Sequence, residues 1–428
     1  MMLRSSKHTT RFTNQEKLRN LGKFVKEYRR VTSLYLDYLW DNGWSWESKS
    51  ISHLLDIESD LLDHPRMIDK SINGLIDLQT TLSARVLKCC VTQVCGILGA
   101  AVERRRRLLW VIAKLKSEGE PTWKIEDKLQ PFVKPTVSNI NPELNSICCD
   151  FLQTKEGSFD GFLQLKCLGK SFGVIRIPIK FHRNSNKWFA KGKMMTSFLL
   201  SKKSICIRWS SETPEKRKEG IIVGVDQGLK TVATLSNGIV TKQTNNHGYS
   251  LEDIINIITR KKKGSKAFHK AQEHRRNLIN WSINQLNLNG IKEIRLEKIV
   301  NINKGKRTSR KLSHWTNTEI RDKILSTCEE LGVRVIQQDS TYRSQRCSRC
   351  GTVRKANRKG KVYLCKNCGL EIDADLNAAK NHEQDLPKIP KALRELRRNL
   401  GSGFLWKPEG FFELTGEELT VPLSEKNG

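Results

Sequence analysis

No long hydrophobic run interrupts this 428-residue chain. The longest nearly apolar stretch, Cys89 to Val102, has fourteen residues and includes Thr92 and Gln93. About twenty are needed to cross a bilayer, so no spanning segment is expected. Met1 to Thr10 is polar and basic and lacks the apolar stretch of a secretory leader. Internal repeats and long low-complexity segments are also missing. Acid is scarce: 45 aspartates and glutamates face 76 lysines and arginines, a formal charge of +31. A compact chain that basic repels itself until a polyanion neutralises it, and nucleic acid is the natural polyanion. A membrane surface is the weaker reading, because no basic amphipathic anchor stands out. Disulfides are not expected either. Of twelve cysteines, eight (Cys89, Cys90, Cys95, Cys148, Cys149, Cys167, Cys206 and Cys328) are scattered mostly among apolar neighbours, the pattern of reduced core thiols in a cytosolic protein.

The other four cysteines stand in pairs near the C-terminus, in CSRCGTVRKANRKGKVYLCKNCGLEIDADLNAAKNH. Cys347 and Cys350 form one CxxC knuckle; Cys365 and Cys368 form the second after a fourteen-residue spacer. Four thiolates so arranged suit tetrahedral Zn²⁺. Gly351 and Gly369 follow the knuckles, where the backbone has to turn under a metal. The spacer holds Arg354, Lys355, Arg358, Lys359 and Lys361 and no acid. A zinc ribbon with a basic tip that touches phosphate is expected.

Length suggests about three domains. Residues 16 to about 130 read as helical, with apolar residues at helical spacing through LGKFVKEYRRVTSLYLDYLW and again through LIDLQTTLSARVLKCCVTQVCGILGAAV. The second helix runs into Arg104, Arg105, Arg106 and Arg107, a basic end that is either a solvated face or a surface for a nucleic-acid backbone. From about 135 to 212, alternation in FDGFLQLKCLG, SFGVIRIPIKFH and KSICIRWSS predicts strands, most economically a small β-barrel. The charged, proline-containing segment from Ser211 to Gly220 reads as a linker.

Beyond the linker, IIVGVDQGLKTVATLSNGIVTKQ predicts a buried strand ending at Asp226, and Ser236-Asn237-Gly238 predicts a hairpin turn within a three-strand meander. An acid on a buried strand needs a partner or a metal. A long polar helix from Leu251 to Leu288 follows, with a basic cluster at Arg260, Lys261, Lys262 and Lys263. Next come the alternating strand KEIRLEK, with Glu297 on its polar face, a helix from Thr316 to Leu331 and the strand VRVIQQ. After the ribbon, Asp373 and Asp375 open a last helix. Three strands, helix, strand, helix, strand, helix is the ribonuclease-H-like order. It puts one acid on the first strand, one on the fourth and one on the last helix. Three converging carboxylates can hold two Mg²⁺ ions for in-line phosphodiester displacement, with no thiol or imidazole required.

GVDQGLKTVATLSNG, IRLEKI and CGLEIDADLNAAKNH resemble the three RuvC motifs of TnpB nucleases and miniature type V CRISPR effectors, over about residues 220 to 382. LSHWTNTEIRDKI and GVRVIQQDSTYRSQRCSRCG are similar to that family's stretch before its zinc ribbon. The resemblance implies a multidomain α+β protein. Residues 1–15 would be the N-terminal segment of a wedge domain, 16–130 a helical recognition lobe and 131–212 a β-barrel wedge domain. A RuvC nuclease domain of RNase H-like fold would span 213–344 and 371–384, around a zinc ribbon at 345–370 that binds target nucleic acid, with a C-terminal tail at 385–428.

The implied activity is RNA-guided cleavage of DNA. Asp226, Glu297 and Asp375 would form the catalytic triad and hold two Mg²⁺ ions. Asp375 is preferred to Asp373 because it stands two residues before the Asn-Ala-Ala step. The implied partners are one structural Zn²⁺, a guide RNA of transposon-end or CRISPR origin and a double-stranded DNA target, with one or two protein copies per guide. No membrane is implied, and the setting would be the prokaryotic cytoplasm or nucleoid. Arg343, Gln345 and Arg346, with the clusters at Arg104–Arg107 and Arg260–Lys263, are candidate nucleic-acid contacts. Gln227 stands where leucine is common, and the family's familiar opening strand is missing from the start of the chain. Two alternatives remain: a catalytically inactive RNA-guided DNA-binding repressor, against which the three intact acids speak, and a transposition-associated accessory protein. The acidic end of the tail suggests no role.

Overall fold

The computed structural model describes residues 1–42, 76–119, 121–127, 129, 133–154, 156–299, 310–390, 393, 403–415, 417 and 419. The chain divides after Glu212 into two units, each with its own core.

In the first unit a strand opens the chain where none was expected. β1 (Met2–Thr9) pairs antiparallel with β7 (Ser204–Ser211), in register from Met2↔Ser211 to Thr9↔Ser204. Its inward positions include Ser6 and His8, which hide the alternation from a hydropathy reading. They tolerate burial because Ser6 Oγ lies 2.9 Å from His8 Nε2 and accepts from Trp209 Nε1 at 2.8 Å. α1 (Gln15–Asn42) follows the expected periodicity, burying Leu21, Phe24, Val25, Tyr28, Val31, Tyr35 and Leu36.

α2 (Ala84–Ser117) starts later than its apolar pattern suggests. Ser83 accepts a hydrogen bond from the Val86 amide and caps the helix, so the preceding IDLQTTL stretch stays outside it. Arg104 to Arg107 therefore sit in the middle of a helix and not at its end. Arg106 and Arg107 pair with Glu103 at 3.3 Å, and Arg105 donates to the Leu129 carbonyl at 3.4 Å. Among the described residues α2 is the one helix long and apolar enough to cross a membrane. Its Val86, Cys89, Cys90, Val91, Val94, Cys95 and Leu98 are buried in the unit's core.

The expected barrel is split. One sheet runs β1–β7–β6–β2, with β6 at Lys193–Leu200 and β2 at Glu143–Leu144. The other runs β3–β4–β5, at Cys149–Gln153, Gly161–Leu165 and Ile175–Ile179. A helix not anticipated from sequence, α3 (Arg183–Lys191), lies between β5 and β6 in the chain. The two sheets share one core with α1 and α2. The eight scattered cysteines are free thiols; six are buried, Cys206 is half-buried and Cys167 is exposed.

The second unit is built on a sheet of order β11–β10–β8–β9. β8 (Ile221–Gln227) is central, antiparallel to β9 (Ala233–Leu235) and parallel to β10 (Ile291–Lys298), which is parallel to β11 (Arg334–Asp339). The hairpin turn forms at Gly238, and the third meander strand is reduced to a bridge between Thr234 and Val240. The long polar helix is broken in two, α4 (Leu251–Thr259) and α5 (Lys266–Asn284). Ser265 caps the second through the Phe268 amide, so Lys261 to Lys263 lie in an exposed loop. α6 (Asn317–Leu331) packs Ile320, Ile324 and Cys328 onto the same core.

The last helix, α7 (Ala374–Glu383), crosses directly over β8. The two approach so closely at Gly224 that a Cβ there would collide with the Ala379 carbonyl and the Glu383 amide. That contact fixes how the last helix sits over the strand that carries Asp226.

Candidate active site

Parallel pairing of β8 and β10 sets Leu296 beside Val225, and Asp226 and Glu297 follow one residue later on neighbouring strand ends. Both face α7, whose first turn carries Asp375 and whose last turn carries His382. Carboxylate oxygens of Asp226 and Glu297 and a ring nitrogen of His382 all lie within 4.8 Å of one another. Asp375 stands next to this group, close enough for its charge to act on Asp226. It is held by two cations from the ribbon: Arg358 Nη2 donates to its Oδ1 at 3.0 Å, and Lys361 Nζ pairs with its Oδ2. Asp373 is used differently. Its carboxylate caps α7, accepting from the amides of Asp375 at 2.9 Å and Leu376 at 3.0 Å.

The electrostatics are those of acids crowded together. Burial, then the charges of Glu297 and Asp375, push the Asp226 carboxyl well above the usual aspartate range, against the pull of Arg358 and Lys361. Burial raises Glu297 to about 7, opposed by Arg358. A cation between two such carboxyls favours the ionised form of both, and their hard oxygens fit Mg²⁺. Gln227 steadies the pair, its Nε2 donating to the Glu297 carbonyl at 3.3 Å. His382 is 1 % exposed, and burial with the nearby Arg343 charge lowers it to about 3, so the ring is neutral.

A stability prediction follows. A glutamate raised from 4.5 to about 7 on folding keeps its proton where the unfolded chain has lost it. Its charge therefore opposes folding by an amount that grows as pH rises between those values, reaching at most roughly 3.5 kcal/mol above them. Without added Mg²⁺, urea unfolding should show Glu297→Gln overtaking the parent chain in stability between pH 5 and 8. Parallel stability profiles would show that Glu297 ionises freely.

The second metal group is the ribbon. Sγ atoms of Cys347 and Cys368, and of Cys350 and Cys365, are 3.6 Å apart, and all four cysteines are free thiols. Four sulfurs about 2.3 Å from a tetrahedral Zn²⁺ would stand roughly 3.8 Å apart, so the cluster has zinc-binding dimensions. Burial pushes the Cys350 thiol up, but hydrogen bonds from Thr352 and Asn367 outweigh it and bring it down, whereas burial raises Cys347 and Cys365. Gly351 and Gly369 take φ of +80° and +71°, the turn expected of them.

Three expectations about these residues change. Arg343 and Arg346 are buried, not on a nucleic-acid surface. Arg343 donates to the carbonyls of Asp339, Asn381 and Gln384. Arg346 donates to the Trp406 carbonyl at 2.7 Å and to Asn381 Oδ1 at 2.6 Å. Gln345 is half-buried, and its carbonyl accepts from Tyr363 at 3.1 Å. The tail, for which sequence suggested no role, supplies a hairpin of β16 (Phe404–Lys407) and β17 (Gly410–Phe412). β16 pairs with β12 (Thr352–Val353), just past the first knuckle, and Trp406 covers both arginines. His382, finally, was missed, though it stands seven residues after Asp375, two helical turns along one face.

Residues 318–382 match the family model "Cas12f1-like, TNB domain". Over 88 residues the chain is 43 % identical to the CRISPR-associated endodeoxyribonuclease Cas12f1 of Sulfoacidibacillus thermotolerans, covering 20 % of each chain. It is 22 % identical over 235 residues to the TnpB-like protein L770 of Acanthamoeba polyphaga mimivirus, covering 45 % of each. The chain is similar to Cas12f1 and TnpB-like proteins over these parts of its length. Its matches span about a fifth to under half the length of these Cas12f1 and TnpB-like relatives. A solved Cas12f1–sgRNA–target DNA complex is also similar, at 14 % identity and a TM-score of 0.48, covering 86 % of this chain and 82 % of the other.

Proposed function

We propose that this chain is an RNA-guided DNA endonuclease. The observation that carries the reading is the meeting of Asp226, Glu297 and Asp375 from β8, β10 and α7 on one face of a sheet with RNase H-like strand order. Asp226 and Glu297, with Asp375 once Lys361 and Arg358 release it, would hold the two Mg²⁺ ions. When bound, these ions supply charge stabilisation for both oxygens of the phosphodiester displacement. Arg358 and Lys361, once off Asp375, are within reach of a phosphate at the same site. The exposed loop at Arg260–Lys263 offers further phosphate contact. The relatives named CRISPR-associated endodeoxyribonucleases support the reaction class.

In the same reading, Met1–Glu212 is a wedge domain with a helical recognition lobe that carries guide RNA, and the ribbon contacts target double-stranded DNA. One or two copies assemble per guide, in the prokaryotic cytoplasm or nucleoid. A charge of +31 is what a built-in RNA would neutralise. The test is to sequence the RNA that co-purifies with the full chain and to use it as guide in a plasmid assay with Mg²⁺. Cleavage confined to plasmids that match the guide is expected. Sequence-indifferent cutting by RNA-free protein would leave a plain RuvC-like nuclease.

A further inference from the structure

His382 is the one member of the inner group that two-carboxylate chemistry does not need. Its ring is 1 % exposed, and its Nδ1 has no hydrogen-bond partner among the described residues. Buried imidazoles that serve only packing are normally satisfied by a carbonyl, a carboxylate or a water. This one instead brings a ring nitrogen within 4.8 Å of oxygens from both Asp226 and Glu297. Two ligands sharing one cation at about 2.1 Å stand roughly 3 to 4.2 Å apart. A spacing of that order suits a shared ion.

The helix makes the position rigid. Asn381, next in the chain, is locked on both sides, its Nδ2 donating to the carbonyls of Arg343 at 3.0 Å and Arg346 at 2.7 Å. α7 packs directly on Gly224, where even a Cβ would collide with the helix backbone. The ring cannot easily leave the carboxylates. A neutral imidazole next to two carboxylates is also a donor set of a different kind from three carboxylates. A nitrogen donor adds more affinity for first-row transition ions, even for Mn²⁺ as the weakest-binding of them, than for Mg²⁺, which favours oxygen and water.

We infer that His382 is a nitrogen ligand to a divalent cation held with Asp226 and Glu297, and that it tilts this position toward Mn²⁺ over Mg²⁺. The inference rests on reading Asp226 and Glu297 as metal ligands.

The probe is Mn²⁺ itself, added to the zinc-loaded full chain without a histidine tag and followed by pulsed electron paramagnetic resonance. Bound Mn²⁺ should show coupling to one imidazole nitrogen, and growing the protein on ¹⁵N-histidine should convert that coupling from its ¹⁴N to its ¹⁵N form. This arm requires no mutation. His382→Leu should remove the coupling, weaken Mn²⁺ binding at least about tenfold and shrink the preference for Mn²⁺ over Mg²⁺ in competition. Should that variant not fold, His382→Asn keeps a polar group in place and should lose the imidazole signal in the same way. Mn²⁺ bound without nitrogen coupling would overturn the role of His382 and leave the carboxylate pair standing. No Mn²⁺ bound to the parent chain would overturn both.

Discussion

Alanine at Asp226, Glu297 or Asp375 should abolish DNA cleavage while guided DNA binding survives. The loss should be at least about a thousandfold, since metal-bound carboxylates contribute several kcal/mol at the transition state. Affinity should change little, because it comes chiefly from phosphate contacts elsewhere on a basic surface. Asp373 is the internal control. Its carboxylate is spent on the α7 amides, so Asp373→Ala should lower stability by about 1 kcal/mol and leave most cleavage intact. Cleavage and binding are measured on the same guided complex. Full cleavage by one triad variant would remove that residue from the site, and equal losses at Asp373 and Asp375 would return the choice between them to open ground.

Cys365→Ser should lower bound zinc from about one ion per chain to none and should also silence cleavage, although it touches no acid. The route is visible in the hydrogen bonds. The Arg346 carbonyl, one residue before Cys347, accepts from Asn377 Nδ2 at 2.8 Å and from Asn381 Nδ2, and the Ser348 amide donates to Asn377 Oδ1 at 3.0 Å. The first knuckle is thus bolted to the helix that carries Asp375. The hairpin from β13 (Arg358–Lys359) to β14 (Val362–Leu364) brings Arg358 and Lys361 to the same acid. Structural zinc in small ribbons contributes on the order of 10 kcal/mol to folding, so its loss should free both ends of this linkage. Metal analysis, thermal unfolding and cleavage on one preparation provide the check. Undiminished cleavage by zinc-free protein would show that the ribbon and the triad are independent.

Asp226 is legible in sequence because it ends an otherwise apolar strand, where burial makes an acid costly. Glu297 lies on the polar face of an alternating strand and is legible only through the resemblance of IRLEKI to a RuvC motif. The knuckles are legible because metal geometry dictates spacing. What escapes is whatever depends on neighbours brought from afar. Arg343 and Arg346 look like surface cations until the carbonyls of Asn381 and Trp406 surround them. β1 escapes because its buried positions include Ser6 and His8, whose polarity is met by Trp209 and the Lys180 carbonyl, both more than 170 residues away. The break between α4 and α5 turns on one serine cap inside an otherwise helical pattern. His382 escapes because a lone histidine on a helix says nothing until the two strands beneath it are known.

The pairing of Met2 with Ser211 has a modular consequence. The first unit begins and finishes on adjacent strands, so its two ends emerge side by side although they are separated by the whole unit in sequence. A segment closed in this way behaves as a cassette. It can be cut out, exchanged for another or opened at a different loop without pulling its remaining strands apart. Exchange of this unit would need only a pair of neighbouring splice points, here close to Met2 and Glu212.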